Sequence, residues 1–183
     1  MDTVDTWKRT RSDQVADCQV FRVRRDNSRR ETDGRETVFY VIEAPDWSNV
    51  IGLDLSGKII MIEQYRPGTE EVILELPGGL TDEGESPLDA AKRELLEETG
   101  YSSSTWELIG TSNPNPANQN NTIYHYLATD CEKTAEPALD PNESVVTRLV
   151  EVPKAETLIR EGKIRHSLVV AAFYYFNANR EYR

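Results

Sequence analysis

One strongly marked helix constrains the fold of this 183-residue chain more than any other feature of its sequence. Ser86 followed by Pro87 is a typical helix start, and Gly100 is the residue type that most often follows a helix end. The apolar residues between them recur at helical spacing and predict one buried face: Leu88, Ala91 and Leu95. We therefore expect an amphipathic helix from Pro87 to Thr99 that packs on a larger element.

Short segments rich in β-branched and aromatic residues predict strands on both sides of this helix. Five precede it: Val15–Arg25, Glu36–Glu43, Ser48–Leu55, Lys58–Arg66 and Val72–Leu76. Three follow it, before two further helices: strands Thr105–Gly110, Thr122–Thr129 and Val145–Val152, and helices Pro153–Glu161 and Ser167–Asn179. The order predicts an α/β fold with a mixed sheet. Residues 1–45 are expected to form a small antiparallel β-hairpin after a helix or loose arm over Met1–Asp13, and residues 46–183 the main domain.

Composition excludes several function classes. The 32 acidic and 21 basic residues give a formal charge of −11, which repels nucleic acids and anionic membranes. The longest apolar run, Leu168–Phe176, is too short to span a bilayer. Cys18 and Cys131 form no CxxC pair and no signal peptide opens the chain, so a reduced cytoplasmic setting is expected.

Three carboxylates share one face of the predicted helix. Glu94, Glu97 and Glu98 lie at i, i+3 and i+4, and like charges at this spacing destabilise a helix by about 0.2–0.5 kcal/mol per pair. A divalent cation with oxygen ligands would relieve that repulsion. A solvated acidic helix face is the alternative.

The segment Pro77-Gly78-Gly79 ends a predicted strand just before this helix. It indicates either an ordinary tight turn or a close approach of the backbone to another group.

The spacing of these residues resembles the Nudix box, G-x5-E-x7-R-E-U-x-E-E-x-G-U, in which U is a bulky apolar residue. The chain matches it from Gly79 through Glu85 and the run Arg93-Glu94-Leu95-Leu96-Glu97-Glu98-Thr99-Gly100. Tyr101 departs from it, because the pattern prefers an aliphatic residue there. The resemblance implies a Nudix α/β/α sandwich around a mixed sheet. It also implies hydrolysis, dependent on Mg²⁺ or Mn²⁺, of a nucleoside diphosphate linked to another group.

The same resemblance implies roles for individual residues. Glu94 and Glu98 match the principal metal ligands, and Glu97 matches a further ligand or base. The carbonyl of Gly78 is implied as another ligand, with two or three ions per site. Two cations across a diphosphate neutralise its charge and activate a water, which agrees with this assignment.

Two further residues of the box match supporting roles. Arg93 corresponds to the residue that orients the glutamates, and Glu85 to one that supports them or the water ligands.

Segments outside the box are similar to the ADP-ribose pyrophosphatase branch of the family: Glu63-Gln64-Tyr65-Arg66, Glu75-Leu76-Pro77-Gly78-Gly79 and Glu161-Gly162-Lys163-Ile164. Arg66 matches an arginine on the substrate's phosphates, a role that suits its permanent charge and fixed donors. A surface cation at a strand end is the alternative. Glu75 is expected to bind substrate as well, and Pro116 stands where this branch has a characteristic proline.

Two other features bear on the substrate. The asparagine-rich loop from 111 to 121, with Asn120 as a candidate binding residue, lacks the acidic residues found there in many ADP-ribose hydrolases. Its amides either hydrogen-bond sugar hydroxyls or form a polar loop of turn-forming residues. Trp47 either stacks on a nucleobase or packs against the sheet.

The resemblance predicts an enzyme that cleaves ADP-ribose or a related nucleoside diphosphate sugar. The alternatives are hydrolysis of GDP-mannose, NADH or a dinucleoside polyphosphate, and a non-catalytic ADP-ribose sensor. Glu143, on a loop, and Glu97 compete as the general base. A homodimer is also expected, because a lone hairpin is marginal in water and needs a surface to cover.

Overall fold

The computed structural model describes residues 3–181, which divide into two compact units. The first unit comprises the residues up to Pro45 together with Asn113–Thr122. The second comprises Asp46–Ser112 and the residues from Ile123 onward.

The first unit is a three-stranded antiparallel sheet in the order β1-β2-β3, with β1 at Trp7–Asp17, β2 at Arg22–Arg30 and β3 at Glu36–Glu43. The helix or loose arm expected over Met1–Asp13 is wrong from Trp7 onward, because those residues pair with β2; Met1 and Asp2 lie outside the described residues. The strand expected over Val15–Arg25 is interrupted by a turn in which Gln19 takes a φ of 66°. Strands made mostly of polar residues show little alternation of apolar and polar residues, so the sequence predicts only two of these three strands.

The first unit has almost no core of its own. Among its described residues the buried ones are all polar: Asp26, Ser28 and Asn121. Trp7 and Phe39 contact each other edge to face at 5.5 Å, yet both remain at least one-third exposed. The sheet is therefore held by backbone pairing and surface ion pairs rather than by buried apolar area.

The second unit contains a mixed sheet with eight strands: β4 Trp47–Asp54, β5 Ile59–Arg66, β6 Glu71–Glu75, β7 Gly78–Leu80, β8 Tyr101–Ser102, β9 Thr105–Ser112, β10 Ile123–Lys133 and β11 Val145–Val150. The central order is β11-β5-β4-β10-β8, with β6 beside β5, β7 beside β4 and β9 beside β10. Strands β4 and β10 are parallel and the other pairs are antiparallel.

Helices cover both faces of this sheet. They are α1 at Pro87–Thr99, α2 at Val152–Arg160 and α3 at Ser167–Glu181. Helix α1 begins and ends as its sequence predicts: the Ser86 hydroxyl accepts from the Asp89 N–H at 3.2 Å, and Gly100 takes a left-handed φ of 75°. No helix within residues 3–181 is long and apolar enough to cross a membrane.

Strands β4 and β5 contribute alternate residues to two separate cores. Val50 and Ile60 pack with Ala91 and Leu95 of α1. On the other face, the core includes residues of β4, β5, α2 and α3: Ile51, Ile59, Met61, Ala155, Val169 and Phe173. The arrangement is the predicted α/β/α sandwich around a mixed sheet.

A buried histidine joins three elements of the second unit. His125 on β10 is fully buried, with Nδ1 2.8 Å from Asn49 Oδ1 and Nε2 2.8 Å from the Ser112 hydroxyl. The Asn49 amide in turn donates to the Leu168 carbonyl of α3 at 3.1 Å. Both ring nitrogens are satisfied by a neutral imidazole, and burial lowers the pKa of His125 to about 4.

This histidine is expected to make the fold acid-sensitive. Its pKa is about 4 in the folded chain against an ordinary 6.5, so the unfolded chain binds more protons between these values and stability is lost as the pH falls through this window. Between about pH 7 and pH 5 this residue alone is expected to remove about 2 kcal/mol from the free energy of unfolding. Urea denaturation of the wild type and of His125→Gln measures it. Equal pH slopes for the two proteins would contradict the expectation.

Candidate active site

Two glycines of β7 bring the backbone against the carboxylates of α1. The Gly78 N–H donates to Glu98 Oε2 at 2.9 Å. A Cβ atom on Gly79 would overlap the Glu94 carboxylate. The Pro-Gly-Gly segment is therefore a close approach of the backbone to these two glutamates, rather than only an ordinary tight turn.

Arg93 connects the other carboxylates of the cluster. Its Nε and Nη2 atoms donate to the two carboxylate oxygens of Glu85, each at 3.0 Å. Its Nη1 donates to Glu94 at 2.8 Å and to Glu97 at 3.2 Å, and Nη2 also donates to the Leu80 carbonyl at 3.0 Å. The hydrogen bonds with Glu85, and then those with Glu94 and Glu97, raise the pKa of Arg93 above its ordinary value. One guanidinium thus holds three carboxylates in fixed positions.

Glu98 is the carboxylate of the cluster whose ionised form is least favourable. It is 4% exposed, and burial raises its pKa to about 8 against the opposing effect of the Gly78 N–H. The negative charges of Glu94 and Glu143 raise it further, and the positive charge of Arg66 lowers it. Burial also raises the pKa of Glu94, in opposition to Arg93. Among the described residues, Glu98 therefore has no cationic side chain hydrogen-bonded to it, whereas Glu94 is paired with Arg93.

The donors present suit a hard divalent cation. Such ions prefer carboxylate and carbonyl oxygens, and a cation beside Glu94 and Glu98 would supply the missing positive charge. Within residues 3–181 no three acidic, histidine or cysteine side chains already form a complete ligand set. Arg93 engages Glu94 and Glu97 in this arrangement, so a full set requires these side chains to turn from it.

Glu143 lies on the loop between β10 and β11. It is exposed, its N–H donates to the Asp140 carbonyl at 2.9 Å, and its carboxylate accepts from the Asp140 N–H at 3.4 Å. Its charge acts on both Glu94 and Glu98. The structure therefore brings this loop residue into the electrostatic range of the helix cluster.

A cavity of about 840 Å³ lies in the same unit. Its lining includes an aromatic ring, several basic side chains and one buried carboxylate: Trp47, Arg66, Lys163, Arg165, His166 and Glu75. The guanidinium carbon of Arg66 lies 6.0 Å from the centre of the Trp47 ring. Trp47 is half-buried and faces this cavity, so part of its ring is available to a ligand.

Arg66 and Glu75 form an ion pair at the wall of this cavity. Arg66 Nε and Nη2 lie 2.8 and 2.6 Å from the same oxygen, Glu75 Oε2. Glu75 is 1% exposed; burial favours its neutral form, but His166 and Arg66 outweigh burial and hold its pKa below the ordinary value. Arg66, the last residue of β5, is therefore partly exposed and is paired with a buried carboxylate at the cavity wall.

His166 is a site residue that the sequence did not indicate. Its Nδ1 atom lies 2.6 Å from Glu75 Oε1. A lone histidine at the start of a helix carries no motif, so only the fold reveals the contact.

Pro116 and Asn120 belong to the first unit. Both are exposed. The Asn120 side-chain carbonyl accepts from the Ala44 N–H at 3.3 Å, and the Asn121 amide donates to the Pro45 carbonyl at 3.1 Å. Their amides hold the end of β3 to the asparagine-rich loop.

Comparison with known proteins identifies the family of the chain. The profile of the NUDIX domain family matches residues 44–173. The chain belongs to the Nudix family. Its relatives include the methanol dehydrogenase activator of Bacillus methanolicus, 33% identical over 165 residues, which cover 90% of this chain and 86% of that one. The ADP-ribose pyrophosphatase of Mycobacterium tuberculosis is 31% identical over 154 residues, which cover 83% and 74%.

A solved structure described as an ADP compounds hydrolase shares the fold. Its TM-score is 0.84 at 20% identity, over 97% of this chain and 96% of that chain. The predicted Nudix fold and the predicted relation to ADP-ribose pyrophosphatases are thus confirmed. The chain is a Nudix pyrophosphatase, and its preferred substrate is considered below.

Replacing Glu98 by Gln tests its effect on turnover and its effect on stability separately. Its pKa is about 8 when folded against an ordinary 4.5, so the folded chain binds more protons between these values and loses stability as the pH rises through them. We expect Glu98→Gln to abolish turnover, while its melting temperature in EDTA stays at or above that of the wild type. The advantage should grow as the pH approaches 8. Activity within about tenfold of the wild type at saturating Mg²⁺ would remove Glu98 from the ligand set.

Proposed function

We propose that this Nudix enzyme hydrolyses the diphosphate bond of ADP-ribose or a related nucleoside diphosphate sugar, giving a nucleoside monophosphate and a sugar phosphate. The observation that carries the proposal is the buried Glu98, which has no ion-pair partner among the described residues and lies within electrostatic range of Arg66, at the wall of a cavity that Trp47 also lines. A cation and an arginine on either side of a diphosphate, with an aromatic ring for the base, match the parts of such a substrate. The relatives named ADP-ribose pyrophosphatases support the same substrate class.

The proposed cofactor is Mg²⁺, which Mn²⁺ can replace, at two or three ions per site. Glu94, Glu98 and Glu97 would hold it together with the Gly78 carbonyl. When bound, such ions neutralise phosphate charge and lower the pKa of a bound water. The free thiols of Cys18 and Cys131 support a reducing, cytoplasmic setting.

Side chains of the protein bind the phosphates and the base and remove the proton from the attacking water. Arg66 binds the phosphates through donors that its pair with Glu75 leaves unused. Trp47 contacts the base. Proton removal from the attacking water falls to Glu143, because Glu97 would be held by the metal ion while Glu143 has no arginine partner among the described residues.

A substrate screen tests the proposed activity. Phosphate release by a coupled phosphatase would be measured with ADP-ribose, UDP-glucose, GDP-mannose, NADH and dinucleoside polyphosphates, each with Mg²⁺. We expect the highest kcat/KM with ADP-ribose or another nucleotide sugar. Preference for NADH or a dinucleoside polyphosphate would reject the sugar assignment, and binding of ADP-ribose without turnover would indicate a sensor.

Replacement of Glu143 tests the base. Glu143→Gln is expected to lower kcat by about 10²–10⁴, the usual contribution of a general base, with little change in KM or metal affinity. Glu97→Gln is the matched comparison, because it removes a carboxylate of the same size from the helix. A Glu143→Gln enzyme that keeps its rate while Glu97→Gln loses it would place the base on α1.

A homodimer formed through the first unit completes the proposal. That sheet buries no apolar side chain among its described residues, and Val38 and Tyr40 are exposed on the same face of β3. A second copy is the surface that would cover them.

Light scattering tests the dimer against the 20.8 kDa mass of one chain. We expect about twice that mass at micromolar concentration, and a monomer for Tyr40→Lys, whose charge would be buried in the interface. Tyr174→Lys is the control, because Tyr174 is equally a surface tyrosine, 70% exposed on α3. A wild-type monomer would overturn the proposal.

A further inference from the structure

The ion pair between Arg66 and Glu75 is held in an unusual way. Two nitrogens of Arg66, Nε and Nη2, lie 2.8 and 2.6 Å from the same oxygen of Glu75, Oε2. A guanidinium that spans both oxygens of a carboxylate fixes its orientation by itself, whereas two donors on one oxygen leave the carboxylate able to rotate. Some other group must therefore hold Glu75 Oε1.

That group is His166. Its Nδ1 atom lies 2.6 Å from Oε1, and both atoms are shielded from solvent. The two atoms are within hydrogen-bond distance, although their alignment departs from the ideal one. A bare nitrogen lone pair this close to an ionised carboxylate would be repulsive, so Nδ1 carries a proton.

His166 is itself fixed by the fold. Its carbonyl accepts from the Val169 and Val170 N–H groups, each at 3.0 Å, and so begins α3. The first turn of α3 is anchored to the sheet, because the Asn49 amide donates to the Leu168 carbonyl. A rigid helix start therefore presents the imidazole to Glu75.

We propose that His166 is a positioning residue, which holds Glu75 Oε1 and thereby fixes the direction in which Arg66 presents its guanidinium to the diphosphate. The inference rests on the proposed function for its effect on catalysis. Its structural part, that His166 orders Arg66 through Glu75, stands without it.

The structural part is tested on the ligand-free chain by NMR of arginine Nε–H groups. The Arg66 signal is identified by its absence in Arg66→Lys. We expect a single, slowly exchanging signal in the wild type and its loss or broadening in His166→Phe. His166→Asn should restore it because the Asn amide reaches the position of Nδ1, while His166→Gln should not. An unchanged Arg66 signal in His166→Phe would overturn the proposal.

The catalytic part is tested by a double-mutant cycle on kcat/KM. His166→Phe is expected to lower kcat/KM about tenfold in the wild type and less than about twofold in an Arg66→Ala background, because His166 acts on catalysis through Arg66. His166→Asn should recover most of the loss. An equal cost in both backgrounds would mean that His166 only supports α3, and would also overturn the proposal.

The two proposals fail in different ways. A wild-type chain that hydrolyses none of the nucleotide substrates would reject the proposed function, and the Arg66 signal would then decide the role of His166 alone. A wild-type chain that turns over a nucleotide sugar, with additive His166 and Arg66 effects, would keep the function and reject the positioning role.

Discussion

The packing of α1 against β7 is the contact on which the site depends. Glu98 accepts from the Gly78 N–H while 4% exposed, and Gly79 leaves room for the Glu94 carboxylate that any larger residue would fill. Burial of two ionisable groups side by side costs free energy unless a positive charge joins them. The fold can accept that cost because apolar contacts of the same helix, through Ala91 and Leu95, hold α1 on the sheet. A carboxylate cluster on an unpacked helix would turn toward water instead.

Arg93 fixes the positions of most of the carboxylates around α1. It binds Glu85, Glu94 and Glu97 but does not reach Glu98 with a hydrogen bond. Its charge therefore relieves the outer carboxylates and leaves the innermost one without a partner cation. Glu98, which lacks such a partner, is the carboxylate whose pKa burial raises to about 8.

The sequence specifies the second unit much better than the first. Helix α1 has a marked start at Ser86 and a marked end at Gly100, and strands β4 and β5 each contain a short run of apolar residues, so local rules suffice for them. The polar strand β1 has no such pattern and forms because it pairs with β2. The spacing of the box likewise predicts the Glu94–Glu98 cluster, because its residues share one helix. The contact of His166 with Glu75 joins positions 91 residues apart on different elements, so it follows from tertiary packing alone.

Two buried carboxylates of the second unit, Glu75 and Glu98, have pKa values that are shifted in opposite directions. Glu75 is enclosed by Arg66 and His166, and its pKa lies below the ordinary value although it is 1% exposed. Glu98 is nearly as buried but receives one backbone N–H and the repulsion of its acidic neighbours, so its pKa is raised. A carboxylate that the chain neutralises itself serves to orient a side chain. One that the chain leaves uncompensated is stable as an anion only beside a cation from outside, which is the property that a metal ligand needs.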